Sequence, residues 1–329
     1  MTDSQRQFRD LPDFIIGITR EIWEDRNIAS LRQYYAPDVL MRSPASVVTG
    51  NETVIADTMA TLAEFPDRTL LGEDVIWSGD AESGWLSSHR LLSTATHLGH
   101  GTYGPPSGRT LAYRIIADCH VVAGGGVIDE EWLIRDQGAI VRQIGKSPRE
   151  FAAEQIRLEG GPDTATRPTD VAGTTPTKYL GEGNRNSWGE RYRNILEQIM
   201  AGELAVIPRE YDRACHLEYP GGITGHSHSD ADRFWLGLRS SFPDAEFKIT
   251  HQIGREDPAM PPRAALRWRL TGTHGGAGHF GPPTGADVHV MGACHAEFGP
   301  WGLRREFVLY DETAIWKQIL LACPTAFGS

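Results

Sequence analysis

"GTYGPPSG" at 101–108 and "GHFGPPTG" at 278–285 decide how this chain is read. Each packs three glycines and two prolines into eight residues. Pro fixes φ and Gly supplies φ > 0, so each is a tight turn. The same unusual turn written twice points to a duplication. Sliding the chain against itself by about 175–177 positions aligns far more than the turns. "YYAPDVLMRSP" (34–44) lies over "EYDRACHLEYP" (210–220), and "EFPD" (64–67) over "SFPD" (241–244). "DCH" (118–120) lies over "ACH" (293–295), and "DEEWLIRDQGAIVRQI" (129–144) over "RREFVLYDETAIWKQI" (304–319). A period this long is a repeated domain, not a solenoid.

Each copy opens with an amphipathic helix, Leu11, Phe14, Ile15, Ile18 and Ile22 in one and Tyr192, Ile195, Leu196, Ile199 and Met200 in the other. A short second helix ends near "YYAPD" or "EYDRA", and a third is stopped by the FPD turn. Four strand-like runs follow in each copy, at roughly 68–79, 84–97, 109–123 and 127–136 and their counterparts. The pattern predicts an α+β fold: two tandem domains, each with about three N-terminal helices on a curved antiparallel sheet, leaving a pocket between. The expected boundaries are 1–150 for copy one, 151–185 for a linker and 186–322 for copy two. The linker contains "EGGPDTATRPTDVAGTTPTKYLGEGN" (159–184), rich in Gly, Thr and Pro and without apolar period.

The net charge of −11 argues against nucleic acid and anionic membrane as partners. No run approaches the roughly 18 apolar residues of a membrane span, and "MTDSQRQFRD" lacks the apolar core of a secretory signal. Cys119, Cys215, Cys294 and Cys323 have no CxxC spacing, so neither a disulfide framework nor a zinc ribbon is expected. A cytoplasmic protein with reduced thiols is the expectation. The glycines of "VVAGGGVID" (121–129) join two strands and open no helix, so they are not a phosphate loop.

The helix-then-strand order, the stretch "GTHGGAGHFGPPTG" (272–285) and the later "EFVLYDETAIWKQI" (306–319) resemble the SnoaL-like polyketide cyclases, within the nuclear transport factor 2-like superfamily. The resemblance spans both copies. It implies cone-shaped domains whose pockets are lined by inward strand residues. It also implies cofactor-free chemistry in which a carboxylate, with a histidine nearby, moves a proton next to a carbonyl. Such domains pair sheet to sheet, which here implies an intramolecular domain pair, or a homodimer beyond it. Tyr103 and Phe280 would fold over the mouth of each cone.

Strand alternation sorts the candidates. His289, Met291, Ala293, His295 and Glu297 share a face, and Cys294 points away. Asp311 and Asp136 end otherwise apolar rows, where burial would raise a carboxyl pKa toward that of a general base. Glu306 and Glu131, matched in both copies, are rivals on the opposite face. The competing reading of the aspartates is that they only begin the turns "DETA" and "DQGA". His295 and His120 are expected to partner a carboxylate, and His274 and His97 to abut the pocket or to tie the turn. Arg267 and Arg90 would hold a substrate carboxylate or pair with Glu306 across strands. Copy two is richer in histidine and tyrosine and is the expected main active site. Its cast is Asp311, Glu306, His295 and His274 as catalytic groups, with Tyr211, Arg267, Tyr219, Trp235, His279, His289 and Tyr310 binding substrate. The copy-one counterparts are Asp136, Glu131, His120, His97, Arg90 and Tyr35. "GHSHSD" (225–230) reads better as a helix cap than as a metal site, so neither metal nor cofactor is expected.

The leading expectation is a cofactor-independent acid–base enzyme on a small organic carbonyl compound, by cyclisation, isomerisation or elimination. The alternative is a non-catalytic binding or assembly protein made of two fused domains. A third reading keeps one copy active and the other as scaffold.

Overall fold

The structure, a computed structural model, describes residues 8–168 and 176–323. The first domain runs α1 (Leu11–Trp23), α2 (Leu31–Tyr34), β1 (Tyr35–Arg42), β2 (Val47–Thr49), α3 (Asn51–Glu64), β3 (Thr69–Asp80), β4 (Gly84–Thr96), β5 (Thr110–Val121), β6 (Ile128–Arg135), α4 (Gln137–Gln143) and α5 (Pro148–Leu158). The second repeats the plan with α6 (Ser187–Met200), α7 (Ile207–Glu210), β7 (Tyr211–Tyr219), β8 (Ile223–Gly225), α8 (His228–Ser241), β9 (Glu246–Arg255), β10 (Arg263–Thr273), β11 (Asp287–Gly299), β12 (Gly302–Tyr310) and α9 (Glu312–Ala322). Local chemistry sets the helix starts. Asp10 accepts from the Asp13 amide at 2.9 Å, Ser147 and Glu150 form a capping box, and Ser227 caps α8.

Each domain is a six-stranded sheet in the order β2-β1-β6-β5-β4-β3, or β8-β7-β12-β11-β10-β9. Four strands of each are antiparallel as expected, but β1 joins β6 in parallel and β7 joins β12 likewise. The sequence reading took this ground for the end of a helix. Pro37 and Asp38 are poor strand formers, and they sit where the pairing of β1 with β6 is irregular.

One face of each sheet curls over α1 and α3, or α6 and α8, to make the cone. The other faces pack against each other through Ile116, Trp132 and Ile134 on one side and Met291, Ala293 and Leu309 on the other. This settles which way the strand residues point. Glu131, Leu133 and Arg135 face into the first cone, and Glu306, Val308 and Tyr310 into the second. The row of His295, Ala293 and Met291 faces the partner sheet, so His295 does not meet Glu306.

The ladders also correct the repeat alignment. Thr96 pairs with Thr110 and Thr273 with Asp287, while Arg90 faces Ile116 and Arg267 faces Ala293. His295 therefore takes the place of Asp118, not of His120. The "DCH" over "ACH" match is two residues out of register, because the turn fixes the strand pairing and the shorter turn after β11 absorbs the difference.

Residues 151–158, expected in the linker, complete α5. Its Ala152 and Ile156 pack on Leu320 and Leu321 of α9, an apolar face that the Gly/Thr/Pro-rich composition beyond it masks. The 169–175 part of the linker lies outside the described residues. Beyond it the connector is stitched down. Glu130, fully buried, accepts from Thr177 Oγ1 at 2.7 Å and from the Lys178 and Tyr179 amides at 2.8 and 2.9 Å. Arg42 donates to the same carboxylate at 2.7 Å.

Candidate active site

The first cone holds a partly open cavity between its helices and its sheet. Thr19 and Trp23 of α1 and Asp57, Thr58 and Thr61 of α3 form one wall, and β4–β6 the other. A second space lies across α1 against β3 and shares Thr19, Leu70, His89 and Leu91 with the first.

Glu131 stands on the inner face of this cone. Burial pushes its carboxyl up to about 7, against the hydrogen bond from Tyr35 and the Cys119 thiol beside it. The Tyr35 hydroxyl donates to Oε2 at 2.9 Å. His89, from β4, is held down to about 4 by burial and is neutral at pH 7, with Nδ1 unpartnered. Arg68 donates through Nε to Ser93 Oγ at 3.3 Å and lies 4.4 Å above the Trp23 ring. Burial lowers its pKa to about 10. Arg135 sits four residues along from Glu131 on the same face. Burial alone would raise the Tyr113 hydroxyl, but Arg68 and Arg135 pull it below its ordinary value.

The second cone has the same carboxylate in a different setting. Glu306 accepts from the hydroxyls of Tyr192 at 2.9 Å, Tyr211 at 2.8 Å and Tyr219 at 2.8 Å, and from Trp235 Nε1 at 3.4 Å. Burial raises its pKa against all four donors. Aromatic side chains fill the space around it. Trp268 stands where copy one has Leu91, Tyr310 where it has Arg135, and Trp235 and Phe234 where it has Thr58 and Asp57. Gly292, opposite Trp268, makes this packing possible, since a Cβ there would lie 2.1 Å from the indole. Phe234 stacks on Tyr219 with centroids 3.7 Å apart.

The other sequence candidates are spread over the molecule. Asp311 caps α9, accepting from the Thr313 and Ala314 amides at 2.8 and 3.2 Å. Asp136 caps α4 and accepts from the Gly221 and Gly222 amides of the other domain at 2.8 and 3.0 Å. Burial brings both carboxyls to about 6; both oxygens of Asp136 and Oδ1 of Asp311 accept from backbone amides, as turn-initiating aspartates do. His295 binds Ser88 Oγ at 2.8 Å across the domain interface. Burial and the charge of Arg90 keep it neutral. His120 pairs with Asp129 at 2.6 Å. Arg267 donates to Asp118 at 2.7 Å, and Arg90 to Glu73 at 2.9 Å; neither pairs with Glu306.

His274 and His97 tie their turns through Thr284 at 3.0 Å and Ser107 at 3.1 Å. His279 lies 3.4 Å from the Tyr310 hydroxyl, and His289 bonds Thr271 at 3.2 Å. Tyr103 and Phe280 are buried beside Phe65 and Phe242 and do not cover an open mouth. The structure thus brings together Glu131 and Tyr35 with Arg68, His89, Tyr113 and Arg135, four residues that sequence reasoning passed over. Arg135 shares a strand face with Glu131, and that alternation could have flagged it.

Fold and site define a duplicated cone domain with one partly open cavity that carries a few polar groups on an apolar lining and one packed interior. Residues 14–144 match the family of SnoaL-like polyketide cyclases. Among solved structures it is similar to IdmH from Streptomyces antibioticus, a candidate polyketide cyclase, at 25% identity over 41% of this chain and 98% of that one, TM-score 0.35. It is also similar to AclR from Streptomyces galilaeus, a candidate hydroxylase, at 19% over 42% and 82%, TM-score 0.36. A SnoaL-like polyketide cyclase from Agrobacterium tumefaciens matches at 20% over 40% and 97%, TM-score 0.32. No curated protein matches the chain. Among the described residues no helix is long and apolar enough to cross a membrane.

Proposed function

We propose that the first domain is an acid–base catalyst acting on an organic carbonyl compound, and that the second serves as its scaffold. The observation that carries this reading is Glu131, a carboxyl brought to about 7 and held by one tyrosine hydroxyl at the wall of an open cavity. A base with a pKa near the working pH is ionised often enough to act and basic enough to take a proton.

Glu131 removes a proton from the carbon beside a substrate carbonyl, with Tyr35 fixing the attacking oxygen. Negative charge then gathers on the carbonyl oxygen. His89 faces the same cavity from two strands away as a neutral imidazole with a free nitrogen, suited to meet that charge or relay a proton. Protonated Glu131 returns the proton. Return at another carbon is an isomerisation, attack of the enolate carbon on a second carbonyl closes a ring, and loss of a neighbouring hydroxyl is an elimination. The substrate's own carbon skeleton selects among the three.

The test is deuterium exchange by NMR, with β-keto acids, β-keto esters and enolisable ketones incubated with the protein in D2O. Enzyme-dependent uptake that Glu131→Gln abolishes and Glu306→Gln keeps is the expected result. Ligand broadening without uptake would replace catalysis with plain binding.

A further inference from the structure

The end of the first cone away from Glu131 carries positive charge with no counterion. Arg42, Arg90, Arg263 and Arg267 are buried, and each rests on a carboxylate: Glu130, Glu73, Asp74 and Asp118. Arg68 is as deeply buried, at 2% exposure. Among the described residues no carboxylate lies within ion-pair reach of Arg68 or of Arg135. Asp311, whose charge is felt at Arg135, spends Oδ1 on the start of α9. Three buried atoms here, Arg68 Nη1, Arg135 Nε and the Tyr113 hydroxyl, make no hydrogen bond of good geometry, and the neighbours of the two guanidiniums are the tyrosines Tyr113 and Tyr103 rather than an anion. A buried guanidinium without an anion is costly to keep, and unsatisfied buried donors call for an explanation. The second cone has Ala245, Tyr310 and Val290 at these places, so the feature belongs to the open cone alone.

We infer that Arg68, Arg135 and Tyr113 form an anion subsite that binds a negatively charged oxygen of the substrate, a carboxylate or an ionised enol. This rests on the first cone being the ligand site, and it names the substrate class. A planar guanidinium pair supplies parallel N–H donors that match such an oxyanion, and the Trp23 ring under Arg68 gives an aromatic body a surface to lie on. Four residues along a strand separate Glu131 from Arg135, on the order of 13 Å. A substrate that reaches both ends is therefore elongated, with its acidic carbon at one end and its anionic oxygen at the other.

The test is calorimetric titration of the full chain at pH 7 with 2-naphthoate, 2-naphthol and 2-naphthamide. Wild type is expected to bind the naphthoate at least about tenfold more tightly than the amide. Arg68→Met and Arg135→Gln should each bring that ratio close to one. Should Arg68→Met fail to fold by circular dichroism, the half-exposed Arg135 position decides. Naphthol outranking the amide while naphthoate does not would support the subsite and assign it to an ionised enol. Equal binding of all three, binding of none, or a preference that survives both variants overturns it. Glu131→Gln separates this proposal from the catalytic one: charge preference kept while exchange is lost supports both. Charge preference in a wild type that exchanges nothing sinks only the catalytic reading.

Discussion

Two glutamates, Glu131 and Glu306, occupy the same position in two copies of one fold and lead opposite chemical lives. Each sits on the inner face of the strand paired with its domain's parallel strand. Glu306 has four donors and a wall of aromatic rings, whereas Glu131 has one hydroxyl, the Cys119 thiol and open space. The position alone therefore does not make a catalyst. What matters is whether the residues around it leave the carboxyl room and an unspent lone pair.

The sharpest way to break this comparison is to exchange the carboxyls for amides. Glu131→Gln is expected to cut deuterium exchange by about 10²–10⁴, the range for loss of a general base, while Glu306→Gln stays within about threefold. The reverse ranking, measured by NMR, would move the site to the second cone. Next comes an exchange of the packing residues. Leu91→Trp should plug the open cone and abolish ligand binding in calorimetry. Trp268→Leu should leave exchange intact but cost about 3 kcal/mol in urea unfolding, the scale of a large core truncation.

The pH dependence tests Glu131 in two ways. Its folded pKa lies above its unfolded one, so the ionised form is the less stable folded state. The stabilisation is complete below about 4.5 and is lost as pH rises through about 7. Glu131→Gln should remove up to about 3 kcal/mol of that decline between pH 5 and pH 8, measured by urea unfolding at each pH. Exchange by wild type should rise over the same interval as the base ionises. The smallest effect is expected at the interface, where His295→Ala frees the Ser88 hydroxyl and costs about 1 kcal/mol without changing exchange.

Much of the fold was legible because duplication wrote it twice. Turns such as "GPPSG" and "GPPTG" and the helix-stopping FPD segments marked the same boundaries in each copy. The parallel strands were not legible, since Pro37 and Asp38 disguise β1. Glu131, Glu306 and Tyr35 could be picked out because the matched strands repeat them. Which face they shared with the cavity could not, because both faces of these sheets are buried, one under helices and one under the other sheet. His295 and Asp311 drew attention for that reason, although their row belongs to the interface. The open cone went unrecognised because its signal is what copy two adds, Trp235, Trp268 and Phe234, rather than anything conspicuous in copy one.

The exchange of Asp118 in one copy for His295 in the other, at the same place in the ladder, has a consequence for how the halves choose each other. Related arginines meet different groups across the interface, Arg267 meeting Asp118, and Arg90 meeting the neutral ring of His295 with the Glu297 carboxylate beside it at 3.4 Å. A symmetric pair of first domains would set Arg90 against Asp118 on both sides. A symmetric pair of second domains would set each Arg267 against an uncharged imidazole, with only the more distant Glu297 as its anion. The back of the second domain is thus matched more closely to the first domain than to itself. Separated halves should reassemble as a mixed pair in preference to either symmetric one.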